Sequence, residues 1–465
     1  MKSLIGLLLP LTALAANEVS IDPDRMLVVN GQRAFVLGLY ENPTEDSVLD
    51  EAARAGFNLI QSAPDAAQLD RLHNRGVYAW INTGYDIDFS VDAGARKTAL
   101  SKLAGDFVGH PAMLVWEVPD EALWNVWYGT QLWRNRDEVK LQNELIGALE
   151  DKTLADALRA MRENASRLWG IGEFKEAEQT ADEIWRKLGK ESPQPNNSIL
   201  DAPERAAKMA AGFLEGFNHL KSATPKHPVW MNHAPRNSVA QRAAFNNAAD
   251  IVGCDIYPVP PHIGGHSDLL DRGLTSVGAY TRTMQDAAPG KPVWMVLQGF
   301  SWAELQEMKD SAEAAKQRHP RENETRFMAY DAIVNGARGI LYWGTAYTDK
   351  EKFWPGLLTV VRELADLSPV LSAPDSDLKL TVSYDETWGS IDRGIRVLAK
   401  NADDGVWFIV VNEYLDPLTY TLRGLESLDG VSYSESVSGD AKSVEKGALE
   451  FTIEPYGVHV LRPKK

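Results

Sequence analysis

One unit recurs eight times between Ala34 and Thr345 of this chain: a short β-branched or aromatic run, a polar or aromatic cluster, then a helical stretch. The runs are AFVLGLY, NLIQSA, VYAWINTG, MLVWEVPDE, PVWMNHAP, DIVGCDIYP, PVWMVLQGF and GILYWGTAY. Alternating strands and helices predict parallel pairing, because each crossover helix must pack back onto the sheet. Eight such units predict a closed (β/α)8 TIM barrel, whose active site lies at the carboxyl ends of its strands.

The chain divides into four predicted parts. Residues 1–16 combine one lysine, an apolar run and small residues at Ala13-Leu14-Ala15, which predicts a cleaved signal peptide and export to the periplasm or the extracellular space. Residues 17–372 form the predicted barrel. An insertion of helical character, about residues 124–200, interrupts it after the fourth strand, since this stretch is far longer than an ordinary crossover. From residue 375 to 465, alternating runs separated by turns predict an antiparallel β-sandwich.

Charge and cysteine content restrict the partners. Lysine plus arginine number 48 against 65 acids, a net charge of −17, which argues against nucleic acid or an anionic membrane as the main partner. After the predicted leader, no stretch is long and apolar enough to predict a membrane span. With one cysteine, Cys254, the chain forms no intramolecular disulfide even in an oxidising compartment. These features suit a neutral or weakly charged substrate.

Two adjacent carboxylates, Asp120 and Glu121, follow the fourth predicted strand. Pro119 ends that strand by removing a ladder donor, so both carboxylates should lie at the mouth of the barrel. Neighbouring carboxylates raise each other's pKa, and a general acid needs that elevation to stay protonated near neutrality. The alternative is that Asp120 caps the helix that follows.

Other polar and aromatic residues follow the strands in positions suited to a sugar pocket. Carboxylates, amides and imidazole match the hydroxyls of a pyranose, and aromatic faces cover its C–H side. The predicted substrate-binding residues are Tyr40, Glu41, Asn232, His233, Asp255, Tyr257, Gln298 and Trp343. In the insertion, Trp124, Trp127 and Tyr128 come directly after the acid pair and form a further candidate wall.

On these residues the chain resembles the glycoside hydrolases. The resemblance rests on a (β/α)8 barrel with a carboxylate pair after strand four, an aromatic rim and a trailing β-sandwich. In the retaining barrel glycosidases an Asn-Glu pair after strand four supplies the acid/base, and Asp120-Glu121 stands in that place. The resemblance implies that Glu121 is the acid and that the substrate is a carbohydrate.

One position departs from the retaining enzymes. They carry a nucleophilic glutamate after strand seven, where this chain has Gln298, whose amide cannot attack an anomeric carbon. The chain is also similar to the barrel hexosaminidases, in which an Asp-Glu pair serves a substrate whose own 2-acetamido oxygen is the nucleophile. That similarity implies that Asp120 orients the acetamido group, with Gln298 or Tyr257 bonding its carbonyl. Alternatively, another rim carboxylate acts as nucleophile or base: Glu41, Asp86, Asp88 or Asp255.

Other chemistries find little support in the sequence. His262 and His266 are separated by Gly264-Gly265, which disfavours a helical metal face, and no phosphate-binding or dinucleotide motif stands in a suitable context. The sequence therefore implies no cofactor and no metal. It predicts an exported glycoside hydrolase of oligo- or polysaccharides. Two alternatives stay open: a non-catalytic carbohydrate-binding barrel, suggested by Gln298, and a polysaccharide lyase.

Overall fold

The computed structural model describes residues 17–261, 267–305, 314–386 and 394–464. The predicted signal peptide, residues 1–16, lies outside the described residues, as do His262 and His266. Within the described ranges, no helix combines the length and the apolar character that crossing a membrane requires.

The described chain begins with a small antiparallel sheet. Its strands are β1 (Val19–Ile21), β2 (Leu27–Val29) and β3 (Gln32–Ala34). The turn between β2 and β3 uses Asn30 and Gly31, whose φ angles of 51° and 82° are tolerated by asparagine and glycine. Val19, Leu27 and Val29 pack into the hydrophobic cluster of the barrel interior and close its floor.

Eight parallel strands close into a barrel, which confirms the predicted fold. They are β4 (Val36–Leu39), β5 (Leu59–Ser62), β6 (Tyr78–Asn82), β7 (Met113–Glu117), β8 (Val229–His233), β9 (Ile251–Ile256), β10 (Val293–Gln298) and β11 (Ala337–Trp343). Inside, Trp80, Trp230 and Trp294 fill the space with fully buried indoles whose neighbouring ring centroids lie 5.5 Å apart. The barrel is therefore a packed core with its polar side chains confined to the strand ends.

Thirteen α-helices are described. They are α1 (Asp46–Ala55), α2 (Ala66–His73), α3 (Ala93–Phe107), α4 (Ala122–Leu132), α5 (Glu138–Gly147), α6 (Lys152–Gly170), α7 (Phe174–Lys187), α8 (Ala202–Ala223), α9 (Val239–Asn246), α10 (Ser276–Ala287), α11 (Glu322–Val334), α12 (Trp354–Asp366) and α13 (Ser368–Leu371). The predicted insertion comprises most of α4, a π-helical turn at Trp133–Asp137, and α5 to α7. α8 packs against α3 and α9 and leads into β8, as expected for the fourth barrel helix.

The C-terminal part is a sandwich of two antiparallel sheets, as predicted. One sheet has the order β12 (Thr381–Tyr384), β15 (Leu418–Arg423), β18 (Ala448–Ile453). The other has the order β13 (Ile395–Ala402), β14 (Gly405–Asn412), β19 (Val458–Pro463), β16 (Ser432–Glu435), β17 (Ala441–Ser443). Helix α11 of the barrel packs against β13, β14 and β19. Ile409, Val411 and Val460 accordingly belong to the same hydrophobic cluster as the barrel helices.

Candidate active site

A cavity of about 220 Å³ opens at the carboxyl ends of the barrel strands. Its described lining consists of Tyr40, Asp120, Glu121, Asn232, Asp255, Tyr257, Trp302, Leu305 and Trp343. The structure thus brings the acid pair together with five of the eight predicted substrate-binding residues, which come from strands distant in sequence. This is the end of the fold at which such barrels hold their chemistry.

The N-cap of α4 is Glu121, not Asp120, and the Glu121 side chain makes no capping hydrogen bond. The Asp120 carboxylate accepts from the backbone N–H of Glu121, which precedes the first turn of the helix. Glu121 has φ 49° and ψ 27°, a left-handed conformation that costs a non-glycine residue free energy. The chain holds this conformation two residues after Pro119, and both carboxylates line the cavity. The capping alternative therefore does not explain the pair.

The Asp120 carboxylate is surrounded by neutral polar groups, among them the backbone N–H of Glu121. Asn232 Nδ2 donates to Asp120 Oδ1 at 2.9 Å, and the Tyr40 hydroxyl lies 3.3 Å from the same oxygen. The surrounding barrel atoms raise the pKa of Asp120, although its side chain keeps an exposed surface towards the cavity. Because water reaches this carboxyl, we expect its pKa to rise less than that of a fully buried one.

Glu121 faces Asp255 from the sixth barrel strand. The two carboxyls share a hydrogen bond, which requires that one of them carry a proton. Burial and the charge of Asp120 raise the pKa of Glu121 to about 7, against the opposing effects of Asp255 and of the Arg236 guanidinium. Asp255 is only 3% exposed, and burial followed by the charges of Glu121 and Asp120 raises its pKa well above the usual range. The pair therefore retains a proton at neutral pH.

Aromatic rings form part of the cavity wall. Tyr257 stacks on Trp343 with ring centroids 5.5 Å apart and an interplanar angle of 19°. Trp302, which follows the seventh strand, meets Tyr257 edge to face. A cavity that combines aromatic rings with carboxylates and an amide suits a ring with one C–H face and polar edges.

Three predicted binding residues are not among the described residues that line this cavity. Glu41 accepts from Gly344 N at 2.5 Å and Thr345 Oγ1 at 2.9 Å, and lines a neighbouring cavity of about 270 Å³. His233 bonds Asn246 Oδ1 at 2.8 Å, and burial lowers its pKa to about 4.

The third, Gln298, ties two loops together. Its amide accepts from Val259 N and donates to Val259 O, each at 2.8 Å, and also donates to Phe300 O at 3.0 Å. Its polar atoms are therefore occupied by backbone, and its side chain is fully buried. Gln298 supports the loops that present Tyr257 and Trp302.

The remaining candidate carboxylates also lie away from the cavity lining. Asp86 belongs to a 3-10 turn at Gly84–Ile87 after the third barrel strand. Asp88 is buried and forms an ion pair with Arg96 at 3.1 Å. Of the rim carboxylates considered in place of a nucleophile, Asp255 alone lines the described cavity.

The predicted insertion approaches the mouth through its first helix. Trp124 stacks on Tyr128 with centroids 5.6 Å apart, and the Arg236 guanidinium lies 5.6 Å from the centre of the Trp124 ring. Helices α5 to α7 have a small core of their own around Leu158 and Ile184. No residue between 124 and 200 belongs to the described cavity lining, so closure of the insertion over the mouth stays a prediction.

Sequence reasoning missed three residues of the site. Trp302 and Leu305 complete the cavity wall after the seventh strand, and Glu117 lies beneath it at the end of the fourth. The signal for Glu117 was its position two residues after the buried Val115, which places a carboxyl on the inward face of an apolar strand.

Among the residues that the structure describes, no group of histidine, cysteine and acidic side chains is arranged to hold a metal ion.

Three solved structures with a similar fold are described as glycosidases. One, described only as a glycoside hydrolase, is 13% identical with a TM-score of 0.52 over 96% of both chains. A glycoside hydrolase family 5 protein from Bacteroides vulgatus is 14% identical with a TM-score of 0.52, covering 96% of this chain and 93% of the other. A beta-galactosidase from Bacillus circulans is 10% identical with a TM-score of 0.52, covering 93% and 99%.

The fold is that of glycoside hydrolase barrels. No family model and no curated protein sequence matches the chain. At 10–14% identity the likeness concerns the fold alone, so the chemistry rests on the cavity residues.

Proposed function

We propose that this protein is an exported glycoside hydrolase that cleaves O-glycosidic bonds of oligo- or polysaccharides. The observation that carries the proposal is the Glu121 carboxyl, with a pKa of about 7, facing an aromatic-walled cavity at the catalytic end of the barrel. A carboxyl that is protonated near neutrality is what the departing oxygen of a glycoside requires. Export is supported by the leader-like sequence of residues 1–16.

The cavity accommodates one sugar ring. Its volume of about 220 Å³ is below the roughly 300–1,000 Å³ of typical small-molecule sites. Stacked Tyr257 and Trp343 offer a surface for the C–H face, while Asn232 and the carboxylates meet the polar edge. The Trp124–Tyr128 pair beside Arg236, which follows the acid pair in the chain, is a candidate wall for a further sugar ring.

Two described residues that could have supplied a protein nucleophile, Gln298 and Asp255, are poorly suited to that role, which supports substrate assistance. The amide of Gln298 is hydrogen-bonded to backbone groups. The raised pKa of Asp255 keeps its carboxyl protonated, and a neutral carboxyl is a poor nucleophile. Asp120 is open to the cavity and held by Asn232 and Tyr40, so it is the carboxylate best placed to stay ionised. A substrate carrying a 2-acetamido group brings its own nucleophile to such a site.

In this mechanism the acetamido carbonyl oxygen attacks the anomeric carbon while the glycosidic C–O bond breaks. The Glu121 proton moves to the departing oxygen, and Asp120 stabilises the positive charge of the cyclic oxazolinium. Glu121, now ionised, takes a proton from water, whose oxygen attacks the anomeric carbon and reopens the ring. The products are a free alcohol and the 2-acetamido sugar with retained configuration.

A paired substrate screen tests the proposal. Aryl glycosides with a 2-acetamido group should be hydrolysed with retention, and matched glycosides with a 2-hydroxyl group should be poor substrates, because they lack the nucleophile. Better turnover of the 2-hydroxyl series would indicate a protein nucleophile instead. Glycan binding without turnover would indicate a carbohydrate-binding barrel, and an unsaturated product from a uronic-acid polysaccharide would indicate a lyase.

A further inference from the structure

Beneath the cavity, Glu117 is enclosed by hydrogen-bond donors. Its carboxyl is fully buried at the end of β7. Oε2 accepts from three side chains on the two preceding strands: Gln61 Nε2 at 3.1 Å, Trp80 Nε1 at 3.0 Å and Asn82 Nδ2 at 2.9 Å. Oε1 faces the Tyr40 hydroxyl at 2.8 Å.

This arrangement fixes where a proton on Glu117 can reside. Three N–H groups point at Oε2, and none of them can accept a proton, so Oε2 has no room for one. A protonated Glu117 must therefore carry its hydrogen on Oε1 and donate it to the Tyr40 oxygen. The Tyr40 hydroxyl is then left to donate to Asp120 Oδ1, which lies 3.3 Å away.

Tyr40 thus lies between two carboxyls and can satisfy only one as donor. In one arrangement Glu117 is ionised and receives the Tyr40 proton, and Asp120 loses that donor. In the other, Glu117 is neutral, its hydrogen points to Tyr40, and Tyr40 donates to an ionised Asp120. Two carboxylates this close cannot both ionise at low cost, so they hold one proton between them near neutrality.

Burial decides which carboxyl holds the proton. Glu117 is 0% exposed, whereas Asp120 has an exposed surface on the cavity. The charged form is disfavoured where water is excluded, so the negative charge belongs on Asp120. Burial and the charge of Asp120 raise the pKa of Glu117 to about 8, against the opposing effect of hydrogen bonds from Tyr40, Asn82 and Trp80, which would favour its ionised form.

We propose that Glu117 is a positioning residue: by staying neutral it directs the Tyr40 hydroxyl towards Asp120 and leaves Asp120 negatively charged for the reaction. The groups facing Glu117 are Tyr40 and Asp120, which titrate, and the neutral side chains of Gln61, Trp80 and Asn82. The catalytic consequence rests on the proposed function, whereas the location of the proton does not.

The proposal predicts an alkaline limb in the pH profile. As pH rises through about 8, Glu117 loses its proton and the Tyr40 hydroxyl donates to Glu117 instead, so Asp120 stays ionised but loses the Tyr40 donor that positions it. Glu117→Gln mimics the neutral acid, since its oxygen accepts from the three donors and its NH2 donates to Tyr40. On an activated aryl 2-acetamido glycoside, which needs no proton from Glu121, the wild type should lose activity near pH 8 and Glu117→Gln should lack that limb.

A matched control is Glu435→Gln, a carboxyl in the sandwich that is 3% exposed and accepts from Val437 N at 2.8 Å. This variant should keep the limb near pH 8, because it changes a buried carboxyl without touching the barrel mouth. An alkaline limb that persists unchanged in Glu117→Gln would overturn the proposal.

An infrared titration separates this proposal from the proposed activity. In a Glu121→Gln background, which removes the acid that titrates near 7, a protonated-carboxyl band should disappear as pH rises through about 8. The same band should be missing when Glu117→Gln is added. If no such band is present at pH 7, Glu117 is ionised and the proposal fails. If the band behaves as expected but no glycoside is hydrolysed, the proton is placed correctly and the proposed function fails.

Discussion

Glu121→Gln is expected to lower kcat on glycosides with unactivated leaving groups by about 10²–10⁴-fold, the usual contribution of a positioned general acid. The amide has nearly the same shape, but it cannot deliver a proton to the departing oxygen. An activated aryl leaving group departs without that proton, so the rate at which its glycosidic bond breaks should change little. Steady-state rates on both substrate classes, with thermal unfolding to confirm the fold, measure the difference.

The pH profile gives the same residue a second test. Glu121 must be protonated to act, and its pKa is about 7, so wild-type activity on unactivated glycosides should fall as pH rises through 7. With an activated substrate this limb should be absent. If Glu121→Gln hydrolysed an unactivated glycoside as fast as the wild type, Glu121 would not be the general acid.

Asp120→Asn is expected to lower kcat/KM on 2-acetamido glycosides by roughly 10²–10³-fold, comparable to the loss of one strong electrostatic contact to a transition state. The amide keeps the size of Asp120 but lacks the negative charge that balances the oxazolinium. Kinetics and inhibition by a thiazoline analogue of that intermediate measure the effect, and the analogue should bind the wild type more tightly than the variant.

Asp86→Asn is the matched control for that variant. Asp86 is a carboxylate of the same rim, in the turn at Gly84–Ile87, and it is not part of the described cavity lining. Its removal should leave activity near that of the wild type. A severe loss in Asp86→Asn together with an active Asp120→Asn would contradict the assignment of the charge to Asp120.

The fold could be predicted from the sequence because its signals are local. Barrel strands covered by helices read as continuous β-branched and aromatic runs, and all eight runs became strands. The Asn30-Gly31 turn and the alternating runs of the sandwich are similarly encoded by neighbouring residues. The boundary of the insertion was harder to place, because α4 begins directly at the catalytic rim and its Val126 packs in the main core.

The site could be predicted only in part, because a residue's position at a strand end does not determine which way its side chain points. Asn232 and the buried Trp230 share an inward face of β8, whereas His233 has the opposite parity and points to α9. Glu41 likewise follows the inward Tyr40 and turns to the loop at Gly344. Gln298 has inward parity, and only the three-dimensional course of the next loop shows that backbone occupies its amide.

The measurement that tests the account most directly is hydrolysis of aryl glycosides whose 2-acetamido group carries none, one, two or three fluorines. Fluorine withdraws electrons from the carbonyl oxygen and weakens it as a nucleophile, while the ring, the leaving group and the contacts of Asn232, Tyr257 and Trp343 stay the same. If that oxygen attacks the anomeric carbon beside Asp120 and Glu121, kcat/KM should fall steeply and progressively along the series. Rates that do not change with fluorination would show that the acetamido oxygen is not the nucleophile and would contradict the account.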